Sequence, residues 1–253
     1  IPGRFGASYS GLIALLNAAG MQESDINLQE IGFNAPEVFC VGAVEASVVY
    51  INNEPLQIAN RAAQGDCGSV TGVDVIPVGS MVDLVSNTVI TNEEILTNNP
   101  VLVAGFVRAF DRALADVIAN PAEAYLLSLD FVLDGLPRDE ALLSALEAQA
   151  AAVQEALEGM EVPSREQIAE LRRQTDAALR EQFSADLLLQ FEVLLATVEL
   201  WDADVLGFSD LSSWEATQET LIAMGFVSSP IDLTAAFTND FIDVAGQLRQ
   251  FPA

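Results

Sequence analysis

Glu45-Ala46-Ser47-Val48-Val49-Tyr50-Ile51-Asn52-Asn53-Glu54-Pro55 is a change of state written into eleven residues. Residues 45–51 are rich in β-branched side chains, which suit a pleated, buried surface, and they read as a strand. Asn52 and Asn53 break the run. Pro55 carries the fixed φ of a first helical turn, so a helix begins there. The same order recurs on both sides. Gly3-Arg4-Phe5-Gly6-Ala7-Ser8 is a glycine-rich turn before a helix with Leu12, Leu15, Leu16 and Ala19 on one face, and Gly20 is its stop. Ile26–Ile31 alternates as a strand, after which Asn34 caps a short helix with Pro36 in its first turn. Val73–Val78 is a further apolar strand. Strands alternating with helices over 1–85 predict an α/β fold, a parallel sheet with helices on both faces.

Residues 86–253 follow the helical period instead. Thr91-Asn92-Glu93-Glu94 is a capping box, a long helix runs from about 100 to 119, and Asn120-Pro121 opens another. Its Phe106, Phe110, Ala113, Val117 stripe reads as core. Over 138–185, Leu142, Leu146, Val153 and Leu157 fall at helical spacing, and Ser164 to Gln167 forms a second capping box, which predicts a helical hairpin. A last helical set covers about 186–200, 212–225 and 232–248. Trp201 and Trp214 lie in this half and read as core or interface residues. Helices in this number need a sheet to cover, and the first 85 residues supply only about four strands.

Composition narrows the chemistry. The 253 residues hold 37 acidic and 10 basic side chains, every basic one an arginine, for a net charge of −27. Such a charge repels nucleic acid and anionic membrane. Histidine is absent, which removes the commonest general base and metal ligand and rules out a Ser-His-Asp or Cys-His mechanism within this chain. No catalytic residue, metal or cofactor is expected. Cys40 and Cys67 fit no zinc spacing; two buried thiols are the default reading and a single disulfide the alternative. The stretch 101–118, the most apolar long one, is broken by Arg108, Asp111, Arg112 and Asp116, so no membrane-spanning segment is expected.

At this point the motifs resemble a family. Ile1-Pro2-Gly3-Arg4-Phe5-Gly6-Ala7-Ser8-Tyr9 followed by Gly11-Leu12 resembles the start of the second lobe in periplasmic solute-binding proteins of ABC importers, of the nitrate, sulfonate, taurine and thiamine-pyrimidine type. Tyr50-Ile51-Asn52-Asn53-Glu54-Pro55, Asp83-Leu84-Val85-Ser86-Asn87, Thr91-Asn92-Glu93, Arg108-Ala109-Phe110 and Phe237-Thr238-Asn239-Asp240-Phe241 follow in the family's order, over about 1–133 and 200–245. The Asn-Glu-Pro form is similar to members that bind pyrimidine thiamine precursors or riboflavin. The resemblance implies a type II periplasmic-binding-protein-like fold with residues 1–85 as the second α/β lobe. Residues 86–253 would be a helical return segment packing on a mostly absent first lobe, interrupted by an insertion near 138–185. The opening part of that first lobe, about a hundred residues in a domain of this class, has no counterpart, so a truncated lobe is expected. The resemblance further implies a small-molecule ligand, ABC permease partners, a monomer, and a periplasmic or extracellular place, held at the membrane through the transporter or a lipid anchor.

Ligands of open α/β folds sit beyond strand ends, where helices begin. Three such places supply the candidate residues. In the first, Gly6, Ser8 and Tyr9 open a helix; the glycine lets backbone approach a ligand and Ser8 adds a hydroxyl, or the group is an ordinary tight turn. In the second, Asn34 either meets ligand or only caps. In the third, Tyr50, Asn53 and Glu54 precede and open the next helix. A carboxylate there gains from the helix dipole and can accept hydrogen bonds from an aminopyrimidine edge or flavin imide, while Tyr50 stacks on the ring. In the resembling pyrimidine binders a tyrosine and a glutamate at this spacing contact the heterocycle; the alternative is a capping carboxylate beside a core tyrosine. Arg4 faces an anion or, as the simpler reading, solvent.

The function that follows is capture of a small heterocyclic nutrient for import, without turnover, with hinge strands near 85–91. Two other readings stand beside it: a ligand-sensing or interaction module, and an enzyme resembling the fungal pyrimidine synthase of the same superfamily. The latter activity goes with histidine and cysteine clusters that this chain does not carry.

Overall fold

The computed structural model describes residues 1–201 and 203–243. The described residues form ten α-helices and three short 3-10 turns, and no strand. These residues group into two compact units, one of residues 1–87 with 209–238 and one of 88–201, 203–208 and 239–243.

In the first unit the segments expected as strands, 26–31, 45–51 and 73–78, run as turns and extended chain. A strand exists through its partner: its N–H and C=O groups are satisfied by a neighbouring segment, whatever its own side chains prefer. Residues 45–50 have the propensity and no ladder neighbour, and Ile76 is left 70% exposed. Parallel-type bonding occurs at a place not read as a strand pair, where the Ile1 nitrogen donates to the Gln29 carbonyl (3.2 Å) and the Ile31 N–H to the Ile1 carbonyl (2.9 Å).

The helices of this unit follow the sequence closely. α1 (Gly6–Ala18) stops before Gly20, which takes the left-handed φ of +72°. It buries Gly11, Ala14 and Leu16, and Gly11 lies over Val78. α2 (Ala35–Cys40) and α3 (Glu54–Ala63) each carry proline in the first turn. Arg61 of α3 pairs with Glu37 of α2 at 3.1 Å. Cys40 and Cys67 are disulfide-bonded, which corrects the default of two free thiols. They share a small core with Ile58, backed by Phe39, Ala62, Val70 and Val73. Gly68 is required here: its φ is +55°, and a Cβ would stand 2.7 Å from the Cys40 carbonyl oxygen. α10 (Leu211–Ala223) completes the unit. Its N-cap Asp210 accepts from the Ser212 N–H, Thr217 accepts from the Val85 N–H at 2.7 Å, Ser213 donates to Asp83 at 2.8 Å, and Trp214 stacks on Phe237 at 5.0 Å.

The second unit is a helical bundle. α4 (Glu93–Asn98) is capped by Asn92, whose side chain accepts from the Ile95 N–H; the expected box thus reduces to Asn92 as its working residue. α5 spans Pro100–Ala119, α6 Pro121–Ser128, α7 Glu140–Glu158, α8 Arg165–Arg180 and α9 Ala185–Trp201. The 138–185 segment is the expected hairpin of α7 and α8, with the Ser164–Gln167 capping box intact. Its core joins Tyr125 of α6 to Leu142, Leu146, Leu179, Leu188 and Phe191. Arg172 of α8 is 3% exposed and ties three helices, donating to the Ile118 carbonyl of α5 and to Glu199 of α9, each at 3.1 Å.

Two expectations change here. Of the Phe106, Phe110, Ala113, Val117 stripe of α5 only Val117 packs against the core; Ala113 is exposed, Phe106 is 54% and Phe110 44% exposed, and their rings stack on each other at 6.2 Å. The covered arc is Leu114, Ala115, Ile118 and Ala119, against Ile168, Val198 and Leu206. α5 is apolar on two arcs, and helical period alone does not say which one meets a partner. The helix expected over 232–248 is a 3-10 turn at Leu233–Ala235 followed by irregular chain to 243; its remainder lies outside the described residues. Trp201 is exposed, whereas Trp214 is half-buried in its stack. No helix of the described residues is long and apolar enough to cross a membrane.

The disulfide closes a loop of sequence separation 27, which by chain entropy stabilises the fold by about 3–4 kcal/mol. Replacing Cys40 and Cys67 together by serine is expected to lower the unfolding free energy by that amount in urea titrations. An unchanged midpoint would show that the cross-link does not constrain this unit.

Candidate ligand-binding site

The third candidate place, at the head of α3, is a closed turn. The Tyr50 carbonyl accepts from the Asn53 N–H at 3.1 Å, and Glu54 Oε2 accepts from the Tyr50 N–H at 3.0 Å. The Asn53 carbonyl accepts from the N–H groups of Leu56 and Gln57, at 3.1 and 3.2 Å. Pro55 has no N–H to offer. The first-turn donors of α3 are therefore largely engaged, and side chains carry what the turn presents. Tyr50 is 55% exposed, so it is neither the end of a buried strand nor a core residue. Asn53 and Glu54 are half-buried. Asn53 sits at the N-cap without capping; its Oδ1 accepts from Gln57 Nε2 at 2.7 Å, which turns Nδ2 away from that contact.

The first place is differently engaged. Gly6 opens α1 with a φ of +68° and is exposed, Ser8 is half-buried in the first turn, and N-cap Phe5 supplies no side-chain cap. Tyr9 donates its hydroxyl to Glu23 Oε2 at 2.8 Å. Glu23 is also ion-paired with Arg4, which reaches Glu30 at 3.3 Å. The Arg4 hydrogen bond first, then that of Tyr9, hold the Glu23 carboxyl below its ordinary range, and the bond to Glu23 pushes the Tyr9 phenol up. Arg4 is thus an ion-pair member and Tyr9 a donor to protein. Asn34, the second place, is exposed at the N-cap of α2 and makes no side-chain cap bond, contrary to the expected capping. α2 is tied through Glu37 and Cys40 to Arg61 and Cys67, beyond the middle of α3 and away from its Glu54 end. The structure brings Tyr50, Asn53 and Glu54 into one turn and Gly6, Ser8 and Tyr9 into another.

Two residues went unnoticed in the sequence. Gln57 stands four residues after Asn53, a spacing that places two amides on one helix face, and Glu23 is reached only through tertiary contact. The electrostatics of the unit are simple: Arg4 and Arg61 are the sole cationic side chains in 1–87 and 209–238, and both are ion-paired. An exposed ring, a carboxylate and an amide, with no unengaged cation beside them, suit a flat neutral molecule with adjacent donors and acceptors.

Comparison with known proteins agrees with the motifs. Residues 4–124 match the model of a family described as NMT1/THI5 like. That family implies a periplasmic-binding-protein-like fold; the described residues carry no strand, so its α/β sheet is not seen here. Over 247 residues the chain is 32% identical to the riboflavin-binding protein RibY of Chloroflexus aurantiacus, a match covering 96% of this chain and 55% of that protein. The chain therefore spans about half the length of this curated relative, and the 138–185 hairpin lies inside the compared span. No solved structure matches.

The lowered Glu23 carboxyl gives a pH dependence of known sign. Its folded value lies below the ordinary 4.5, so its contribution to stability is complete above that value and is lost as pH falls through the folded one. Glu23→Gln is expected to flatten part of the loss of stability on acidification below the ordinary value of 4.5. Superimposable acid limbs for the two proteins would remove Glu23 from that role.

Proposed function

We propose that this chain is part of the solute-binding component of an ABC importer that captures a neutral heterocyclic nutrient, a flavin or a thiamine-precursor pyrimidine, and hands it to a permease without turnover. The observation that carries the reading is the Tyr50–Glu54 turn. Glu54 commits Oε2 to the Tyr50 N–H, and its other oxygen is available to an N–H of the ligand. Tyr50 offers a ring face to a flat partner. An anion such as nitrate or a sulfonate would meet a carboxylate with both of the unit's arginines already paired, which disfavours it electrostatically. The kinship with a protein named for riboflavin supports the flavin end of this range. In this reading Gly6, Ser8 and Asn34 are contributors from two other helix starts, and the protein works outside the cytoplasmic membrane, where an oxidised Cys40–Cys67 pair persists.

Titration calorimetry with riboflavin, a hydroxymethyl aminopyrimidine, nitrate and taurine tests the class. Binding of either heterocycle and of neither anion is expected. Heat from the anions alone would overturn the reading. Glu54→Gln is expected to weaken heterocycle binding by about 1–3 kcal/mol through loss of a charge-assisted acceptor, and an unaltered affinity would remove Glu54 from the site.

A further inference from the structure

The Asn53 side chain does something an N-cap asparagine ordinarily does not. At a helix start its oxygen would accept from a backbone N–H of the first turn, a contact that stabilises the helix. In α3 the Gln57 N–H makes the ordinary first helical bond to the Asn53 main-chain carbonyl, the Leu56 N–H turns to that same carbonyl rather than to the side chain, and the side-chain oxygen is taken by Gln57 Nε2 at 2.7 Å. Because an amide is planar with its oxygen and nitrogen on opposite sides, fixing Oδ1 fixes Nδ2 as well. Gln57 could have formed its bond in either sense, and Glu54 stands next to the amide so fixed, with Oε2 held by the Tyr50 N–H. The turn then presents a donor, Asn53 Nδ2, and an acceptor, Glu54 Oε1, on adjacent residues.

We infer that Gln57 is a positioning residue: it orients the Asn53 amide so that its NH2 group, beside the Glu54 carboxylate, selects a ligand edge carrying an acceptor next to an N–H. This rests on the reading of Tyr50–Glu54 as the binding turn and adds a residue that does not itself touch ligand. A lactam or imide edge, C=O beside N–H, and an aminopyrimidine edge, ring nitrogen beside an amino group, both meet the requirement. A ring methylated at that N–H does not. Gln57→Glu is the informative change, since a carboxylate at 57 can only accept. It would draw Nδ2 toward itself and turn Oδ1 to the ligand, placing two acceptors side by side.

The test is riboflavin binding by the full chain, followed by quenching of flavin fluorescence, with far-UV circular dichroism to verify folding. Gln57→Leu is expected to weaken binding about tenfold, the scale of one hydrogen bond, and Gln57→Glu to weaken it more than Gln57→Leu. In an Asn53→Ala background Gln57→Leu is expected to have no further effect, because both changes remove one device. N3-methylriboflavin is expected to bind wild type poorly and to be insensitive to Gln57. If wild type binds riboflavin while folded Gln57→Leu binds equally well, or if the Asn53 and Gln57 effects add, the inference falls and the binding turn stands. If wild type binds neither riboflavin nor a pyrimidine, the reading of the turn falls and takes the inference with it.

Discussion

Glu54 gives one carboxylate oxygen to the N–H of Tyr50, four residues back, and this bond determines what the head of α3 can offer. A carboxylate at a helix start is favoured by the helix dipole, and here it also closes the turn that leads into the helix. With Pro55 lacking an N–H and the next two N–H groups bonded to the Asn53 carbonyl, the backbone has little left for a ligand. In the proposed reading recognition passes to side chains, and side chains at a turn can be read by donor and acceptor. A site built on bare backbone N–H groups would prefer anions; this turn has its Asn53, Leu56 and Gln57 N–H groups engaged and a carboxylate in front.

The surrounding unit is held by cross-links more than by core. Its buried cluster of Cys40, Ile58 and Cys67 is small, and a small core needs a staple. The disulfide supplies it, and the Glu37–Arg61 pair lies alongside. The second unit has a larger apolar core, and there a buried arginine binds helices together through a main-chain carbonyl and Glu199. With a net charge of −27, self-repulsion works against compaction. The scarce arginines are placed where they oppose it: Arg4 between Glu23 and Glu30, Arg180 between Asp176 and Glu192, and Arg165 against Asp204. Burial still pushes the Glu192 carboxyl up, Arg180 opposing and Asp176 adding to the shift.

What was legible in the sequence was local. The bounds of α5, the Ser164–Gln167 box, the prolines at the heads of α2 and α3 and the Gly20 stop depend on a few consecutive residues and were read from them. The strands were not recoverable in this way, because Val48 and Val49 state a preference that only a neighbouring segment can satisfy. Nor was the pairing of Cys40 with Cys67, a contact between α2 and the turn after α3. The Phe106–Phe110 stripe failed for a third reason: periodicity reports that a face is apolar, and covering it is the business of another element. At the candidate turn, Tyr50, Asn53 and Glu54 were visible as residue types at a strand-to-helix transition, but the direction of the Asn53 amide depends on a side-chain bond that no spacing rule states.

That direction matters because the ligands weighed for this turn differ in charge as much as in shape. A pocket for nitrate or a sulfonate must supply positive charge or several converging N–H donors, and removing either from water is costly unless the partner neutralises it. A pocket for a flat neutral ring needs no net charge; it needs donors and acceptors in the right order and a surface to stack on. In the unit that carries Tyr50, Asn53 and Glu54 the arginines are occupied by glutamates, so in the proposed reading the polar order of one turn is left to discriminate. An amide held by its neighbour costs less conformational entropy on binding than a free one, and it rejects a mismatched edge more sharply, because a mismatch leaves two like groups facing each other with no water between them.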